Sequence, residues 1–359
     1  MTDRILPEDA FFPHGIGNSS GVVTVPGMVR LTRPIEVTSG VRLLIRGGEI
    51  SSDLDDHVIV ANGGEIIIDD CKINGSLQAY NSGRIFLTDV HVIAPRFGIF
   101  VDGKGSMAEV TGGSVSGSKV HGILAQKGGH AMLKDVEVKD NHVRGIFVAG
   151  GVDGEGSKVE VTGGSVSGSI YDGIVAELGG HAVVKDVQVK DQGCGVAVFG
   201  RGSKAEVTGG SVSGSRDHGI VAELGGHAVV KDVEVKDNGM SGVAVFDWGS
   251  RAEVTGGSVS GNKFDGITAE KGGHAVVKDV RVEGNQKSGV WVSGKGSRAE
   301  VTGGSVSGSK AEHGITALDG GHAVLKDVEV EDNQVHGIFV DGEGSRAEVT
   351  GGSVGGSKT

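Results

Sequence analysis

Proline is scarce, at 5 residues in 359, which excludes a disordered Pro/Gly-rich chain. Basic residues are in deficit. With 34 Lys and Arg against 46 Asp and Glu, a nucleic-acid backbone is not an expected partner. The acidic excess is spread along the chain and reads as solubility. No apolar run approaches the ~18 residues of a membrane span, so no membrane partner is expected. The start, MTDRILPEDAFFPHG, lacks the apolar segment of a secretory signal peptide. The expectation is a soluble protein that is cytoplasmic, exported by a non-Sec route, or part of a longer exported protein. Helical periodicity is absent, and so is any complete catalytic or metal-binding motif.

What the chain has is glycine, 67 residues of it, without the every-third-residue spacing of collagen. The glycines punctuate a repeat. The stretch from Gly219 to Asp265 reads GIVAELGGHAVVKDVEVKDNGMSGVAVFDWGSRAEVTGGSVSGNKFD. Its first half recurs at Gly122, Gly173, Gly266 and Gly314, and its second half at Gly145, Gly195, Gly289 and Gly337. The regular pattern begins at Gly98, and its one long interval absorbs a Gly-rich insert around Gly150–Gly156. Alternating turn types imply duplication of a two-turn unit.

Each turn predicts three short strands: Gly-Ile/Val-x-Ala/Val, then x-Ala-x-Val, then a Val-x-Val or Gly-Ser-Val piece. Each keeps a period of two, so one face points inwards. In one turn the inward set is Ile220, Ala222, Ala228, Val230, Val233 and Val235; the next puts Val243, Val245, Ala252, Val254 and Val259 in the same slots. Such strands cannot bury a face alone, but stacked turns bury a continuous one. The fold class is therefore all-β, a parallel β-helix of about fourteen turns, roughly 65 Å long at the strand spacing. Residues 1–20 form an N-terminal segment in which Phe11 and Phe12 cover the first turn. Residues 21–97 make irregular turns, and 98–359 regular ones, in one continuous domain. Cys71 and Cys194 lie about five turns apart, roughly 24 Å and beyond disulfide reach. Cys71 takes an inward slot, whereas Cys194 precedes a turn glycine and reads as an exposed thiol.

The opening GVVTVP…LTRPIEVTSGVRL and the repeating GIxV…AxV…VSGN turn resemble the right-handed parallel β-helix of the pectin-lyase-like superfamily. The near-identical VTGGSVSGS…HGILAQ repeats also resemble passenger segments of autotransporter adhesins. The first resemblance covers nearly the whole chain. It implies enzymes acting on acidic polysaccharides such as pectin and alginate, with a cleft on the first-strand face. The second implies a protein that binds or spaces. Fold alone does not choose between them.

Stacking turns each outward position into a row. On the second strand His130, His181, His227, His274 and His322 alternate with Lys158, Lys204, Arg251, Arg298 and Arg346. Neighbouring histidines are then ~9.6 Å apart, too far for one metal ion. With Glu160, Glu206, Glu253, Glu300 and Glu348 two positions on, the row reads as a solvated face of cross-strand charge pairs. At the corner after the third strand stand Asn141, Ser169, Gln192, Ser215, Asn238, Asn262, Asn285, Ser309 and Asn333, amides and hydroxyls that can bond along the stack. The first-strand face differs. Its outward row includes Val221, Ala244, Thr268 and Trp291, and it collects Phe199, Phe246, Trp248 and Trp291, with both tryptophans of the chain. These four are the candidate ligand-binding residues, because exposed aromatics offer flat faces to sugar rings. Glu223, Asp247 and Glu270, expected roughly 5–7 Å apart, and the adjacent Lys271 are the catalytic candidates.

By the resemblance, a lyase or epimerase needs a base and a carboxylate-neutralising group, often calcium, and a hydrolase needs two positioned carboxylates. The DPHE signature of alginate epimerases and the NTD, DD, GHG and RIK set of polygalacturonases are absent as sets; Asp69-Asp70 stands without its companions. Calcium-binding nonapeptides are absent too, so no cofactor is expected unless the chain is a lyase. The reading therefore favours a polysaccharide-binding or scaffold protein, with an acidic polysaccharide or a cell-surface glycan as partner. A lyase, epimerase or hydrolase of acidic glycans is the first alternative, and an adhesin or passenger-like spacer the second. GSRAEVTGGSVGGSKT completes a turn without an amphipathic cap, so end-to-end association, or continuation in a longer protein, is expected.

Overall fold

The computed structural model describes residues 20–52, 57–151 and 156–355. The chain is a right-handed parallel β-solenoid of about fourteen turns, with every third strand in the same one of three parallel sheets. The first-strand, second-strand and third-strand sheets follow one another in each turn. Phe11 and Phe12 lie outside the described residues, as do the centre of the Gly-rich insert and residues 356–359. Among the described residues no helix is long and apolar enough to cross a membrane.

Contacts gather into two units, one of residues 1–174 and 179–183, the other of 175–178 and 184–359. In the second unit a typical turn runs through strands Ile220–Glu223, His227–Lys231 and Glu234–Lys236. The next runs through Val243–Phe246, Arg251–Thr255 and Ser258–Ser260. Register stacks like on like: Ala228, Ala252, Ala275, Ala299 and Ala323 form one inward column. Val230, Val254, Val277, Val301 and Leu325 form its neighbour, and every member of both columns is buried. Each buried valine contributes roughly 1.5–3 kcal/mol of transfer free energy. The first unit obeys the same pattern with larger residues. Ile45, Ile66, Ile68, Ile73, Leu77 and Ile85 are fully buried there, which is how irregular turns with fewer alanines still fill their interior.

Cys71 is buried, as its inward slot requires, and burial pushes its thiol up to about 12. Cys194 departs from expectation: it is half-buried rather than exposed.

Two corners explain the repeat. After the third strand, Asn238 Nδ2 donates to Asn262 Oδ1 at 2.9 Å, and Asn262 Nδ2 to Asn285 Oδ1 at 2.8 Å. Each receiving oxygen also accepts a backbone N–H from the turn before it, at 3.1 Å. These buried amides are thus satisfied by one another and by the main chain, as buried polar groups must be. Between the second and third strands, Asp186, Asp232, Asp279 and Asp327 adopt left-handed backbone angles with φ from 53 to 55°. The matching positions one turn on are Gly209, Gly256, Gly303 and Gly351. Asp tolerates this region better than most residues, and its carboxylate fills the space left by the missing glycine side chain. The two-turn period of the sequence is this alternation.

Candidate functional site

The second-strand charged row resolves into a ladder of hydrogen-bonded charge pairs. Arg251 Nε donates to Glu253 Oε1 at 2.7 Å, and His227 Nε2 lies 3.2 Å from the same oxygen. Arg251 Nη1 donates to His274 Nδ1 at 3.0 Å, which makes Nδ1 the acceptor and leaves the Nε2 hydrogen to donate to Glu300 Oε1 at 3.2 Å. Hydrogen bonding to Arg251 holds the Glu253 carboxyl below its usual range. Burial, then the guanidinium of Arg251, lowers the His274 imidazole, so it is a neutral bridge. This is the charge-paired face expected from the sequence. Among the described residues no group of three His, Cys, Asp or Glu side chains gathers as metal ligands.

The first-strand sheet holds the candidate residues, in an arrangement the outward row alone does not show. Val175, Ala197, Val221, Ala244, Thr268 and Thr316 point away from the core, yet none is more than 4% exposed. The residues just before the turn glycines cover them. Ser241 Oγ lies 2.8 Å from Thr268 Oγ1, and Ser288 Oγ lies 2.8 Å from Thr316 Oγ1. The His218 ring tilts against Phe246 at 5.4 Å. Asp265, also in this covering row, accepts the Ser288 backbone N–H at 2.9 Å and lies 3.5 Å from the Thr268 hydroxyl. Burial raises its carboxyl to about 7, with Glu312 and Glu270 adding to the rise. The repeat pattern does not single out Asp265. Its only signal was that Thr268 interrupts a row of Val and Ala where Asp265 precedes the glycine.

What remains open is the edge where the first strand ends. There Phe199 pairs with Glu223, and Phe246 with Glu270, so phenyl rings and carboxylates alternate from turn to turn. Glu223 and Glu270 are therefore two turns apart, about 9.6 Å by strand spacing, with Phe246 between them. Asp247 does not join this row. It occupies the following corner at φ 70°, and Lys271 the next corner at φ 53°, with its ammonium 5.9 Å from the Phe246 ring.

Trp248 sits on the corner rather than on the strand, and it is 68% exposed. A Cβ added at Gly272 would stand 2.6 Å from indole Cδ2, and one at Gly296 would collide with the benzo ring. One indole face thus lies across two bare glycine corners and the other faces solvent. Trp291 is half-buried in the covered row, between Thr268 and Thr316, and its Nε1 has no hydrogen-bond partner among the described residues. The structure therefore brings Phe199, Phe246 and Trp248 to one edge, and sets Trp291 back under the covering row.

Comparisons with known proteins agree with this architecture. The family model described as "Right handed beta helix region" matches residues 97–269 and 248–354. The A-module of the mannuronan C-5 epimerase AlgE4 from Azotobacter vinelandii is similar at a TM-score of 0.54 and 14% identity, covering 96% of this chain and 93% of that one. The AlgE6 A-module from the same organism aligns at a TM-score of 0.34 and 12% identity, over 95% of this chain and 93% of the other. No curated relative matches the sequence. At such identities the likeness is one of fold.

Proposed function

This chain belongs to the right-handed β-helix family, and we propose that it binds a glycan along the open edge of its first-strand sheet. The observation that carries the reading is Trp248, an indole braced on Gly272 and Gly296 with its outer face in water. An aromatic plane held rigid in solvent loses little freedom when something stacks on it, and sugar rings present the matching apolar faces. Phe246 and Phe199 continue the surface, and Glu223 and Glu270 supply acceptors for hydroxyls. The similar fold of a mannuronan epimerase module supports a carbohydrate partner in general.

The same geometry favours binding over hydrolysis. A retaining pair of carboxyl groups needs about 5–5.5 Å and an inverting pair about 6.5–9.5 Å. Glu223 and Glu270 are at the far limit of the second range, with a phenyl ring where the attacking water would stand. The alternating carboxylates also disfavour a polyuronate here and favour a neutral glycan. In a glycan array, Trp248→Ala should lower affinity about thirtyfold, the ~2 kcal/mol of a hot-spot aromatic. Equal binding by the wild type and the variant, to every glycan tested, would overturn the reading.

A catalytic reading keeps one specific observation, the buried Asp265 carboxyl, hydrogen-bonded to the Ser288 backbone and raised to about 7 by burial, with Glu270 adding to the rise. As a proton donor it would make Asp265→Asn inactive on alginate or pectate in a double-bond or epimer assay. Unchanged turnover in that variant would remove the assignment.

A further inference from the structure

The irregular turns of the first unit carry a cleft of about 250 Å³ lined by Pro34, Glu36, His57, Val60, Gln78 and Tyr80. It opens on the first-strand sheet where the repeat breaks down, and sequence rules are most often broken at functional sites. Glu36 is fixed in place: Tyr80 Oη donates to its Oε1 at 3.0 Å, and Asn62 Nδ2 donates to the same oxygen at 2.7 Å. Asn62 is steadied in turn, its Oδ1 accepting from Asn81 Nδ2 at 2.9 Å. Both donors converge on one oxygen and neither engages Oε2. The other wall is aromatic, with His57 stacked on Phe100 at 5.7 Å and an interplanar angle of 24°. Among the described residues neither Lys nor Arg lines the cleft.

A fixed carboxylate between flat aromatic walls is cation-recognition chemistry. The carboxylate supplies charge, the rings supply their negative faces, and little is lost to reordering on binding. The volume suits one six-membered sugar ring rather than a longer segment. We propose that this cleft binds an amino-sugar unit, with its ammonium on Glu36 and its ring against Tyr80 and His57. A uronate unit would bring a second carboxylate to Glu36 and is disfavoured. Catalysis is not part of the proposal. Among the described residues the next carboxylate along this sheet, Asp102, is three turns further on, about 14 Å by strand spacing, and is engaged by Gln126 and Lys127.

The cleft stands on its own residues and leans on the glycan-binding reading only for the polymer that would carry the amino sugar. Its test is calorimetric titration of the full chain carrying Trp248→Ala, which removes the open-edge site, with a glucosamine hexamer, its fully N-acetylated counterpart and a mannuronate hexamer, below the amine pKa. The glucosamine hexamer should bind at least about tenfold more tightly than the other two, and added salt should weaken it. Glu36→Gln should abolish that preference while circular dichroism stays unchanged. Tyr80→Phe, which keeps the ring but drops one donor to Glu36, should weaken binding several-fold. No binding of the glucosamine hexamer, equal binding of the acetylated form, or an undiminished preference in Glu36→Gln would each overturn the proposal. The Trp248→Ala comparison reads neutral glycans and the Glu36→Gln comparison reads the amine, so either site can fail alone.

Discussion

Asp232 and Gly256 share one corner position in consecutive turns, and the Asp232 Oδ1 occupies the space a Cβ on Gly256 would need. Gly256 also holds φ at 64°. Gly256→Ala therefore meets two obstacles, left-handed strain of about 1–2 kcal/mol and a collision with the carboxylate. Adding Asp232→Gly should relieve the second and leave the first. Denaturant unfolding of the two single variants and the double variant measures the coupling, and a purely additive cycle would show that the carboxylate does not press on the glycine.

Trp248 provides a second check, because its bracing glycines can be changed without touching the indole. Gly272→Ala and Gly296→Ala should each lift the ring from the corner and shift its fluorescence to the red. Each should also lose glycan affinity in step with Trp248→Ala. A spectral shift without lost affinity would separate the bracing from binding.

The buried Asp265 carboxyl gives stability a direction with pH. Its folded value is raised from 3.8 to about 7, so between those values the unfolded chain has released a proton that the folded chain still holds. Stability on this account falls as pH rises through that window. Asp265→Asn keeps an oxygen for the Ser288 N–H and does not titrate. The variant should therefore melt higher than the wild type at pH 8, with the gap closing towards pH 4.

His121 works in the opposite sense. Burial, helped by Arg144, lowers its imidazole from 6.5 to about 4, so on acidification the unfolded chain takes up the proton first. Stability is then lost as pH falls from 6.5 towards 4. The ring packs between Phe97, at 5.9 Å, and Phe147, at 5.0 Å, and His121→Phe preserves that packing. Thermal melts across the window should show a shallower acid loss in the variant.

The winding of the chain was legible in its residues because a stack repeats its inward slots: Val230 over Val254 in space is Val230 and Val254 in the sequence pattern. The charge-paired histidine row was legible for the same reason. The aromatics of the open edge stood out as departures from the repeat, and Phe199, Phe246 and Trp248 do share one edge. Less visible was what the corners do. Nothing in the alternation of Val221, Ala244 and Thr268 reveals that the preceding corner lies on top of them, since the corner's path is set by hydrogen bonds such as Ser241 to Thr268, which a strand's inward-outward alternation does not encode. That is also why Asp265 escaped notice. The Glu36 cleft was hidden differently: it lies where the turns are unlike one another, so no row could expose it.

The aspartate-over-glycine corner also constrains how such a protein changes size. Deleting or inserting a single coil among the regular turns would set aspartate upon aspartate, or leave two glycines facing with nothing between them, whereas Asp70 and Asp89 already stand in succession in the irregular turns. Growth by whole pairs preserves every contact of the regular turns, so the doublet is the unit by which they lengthen without new strain, and variants differing by an odd number of coils should melt lower than those differing by an even number.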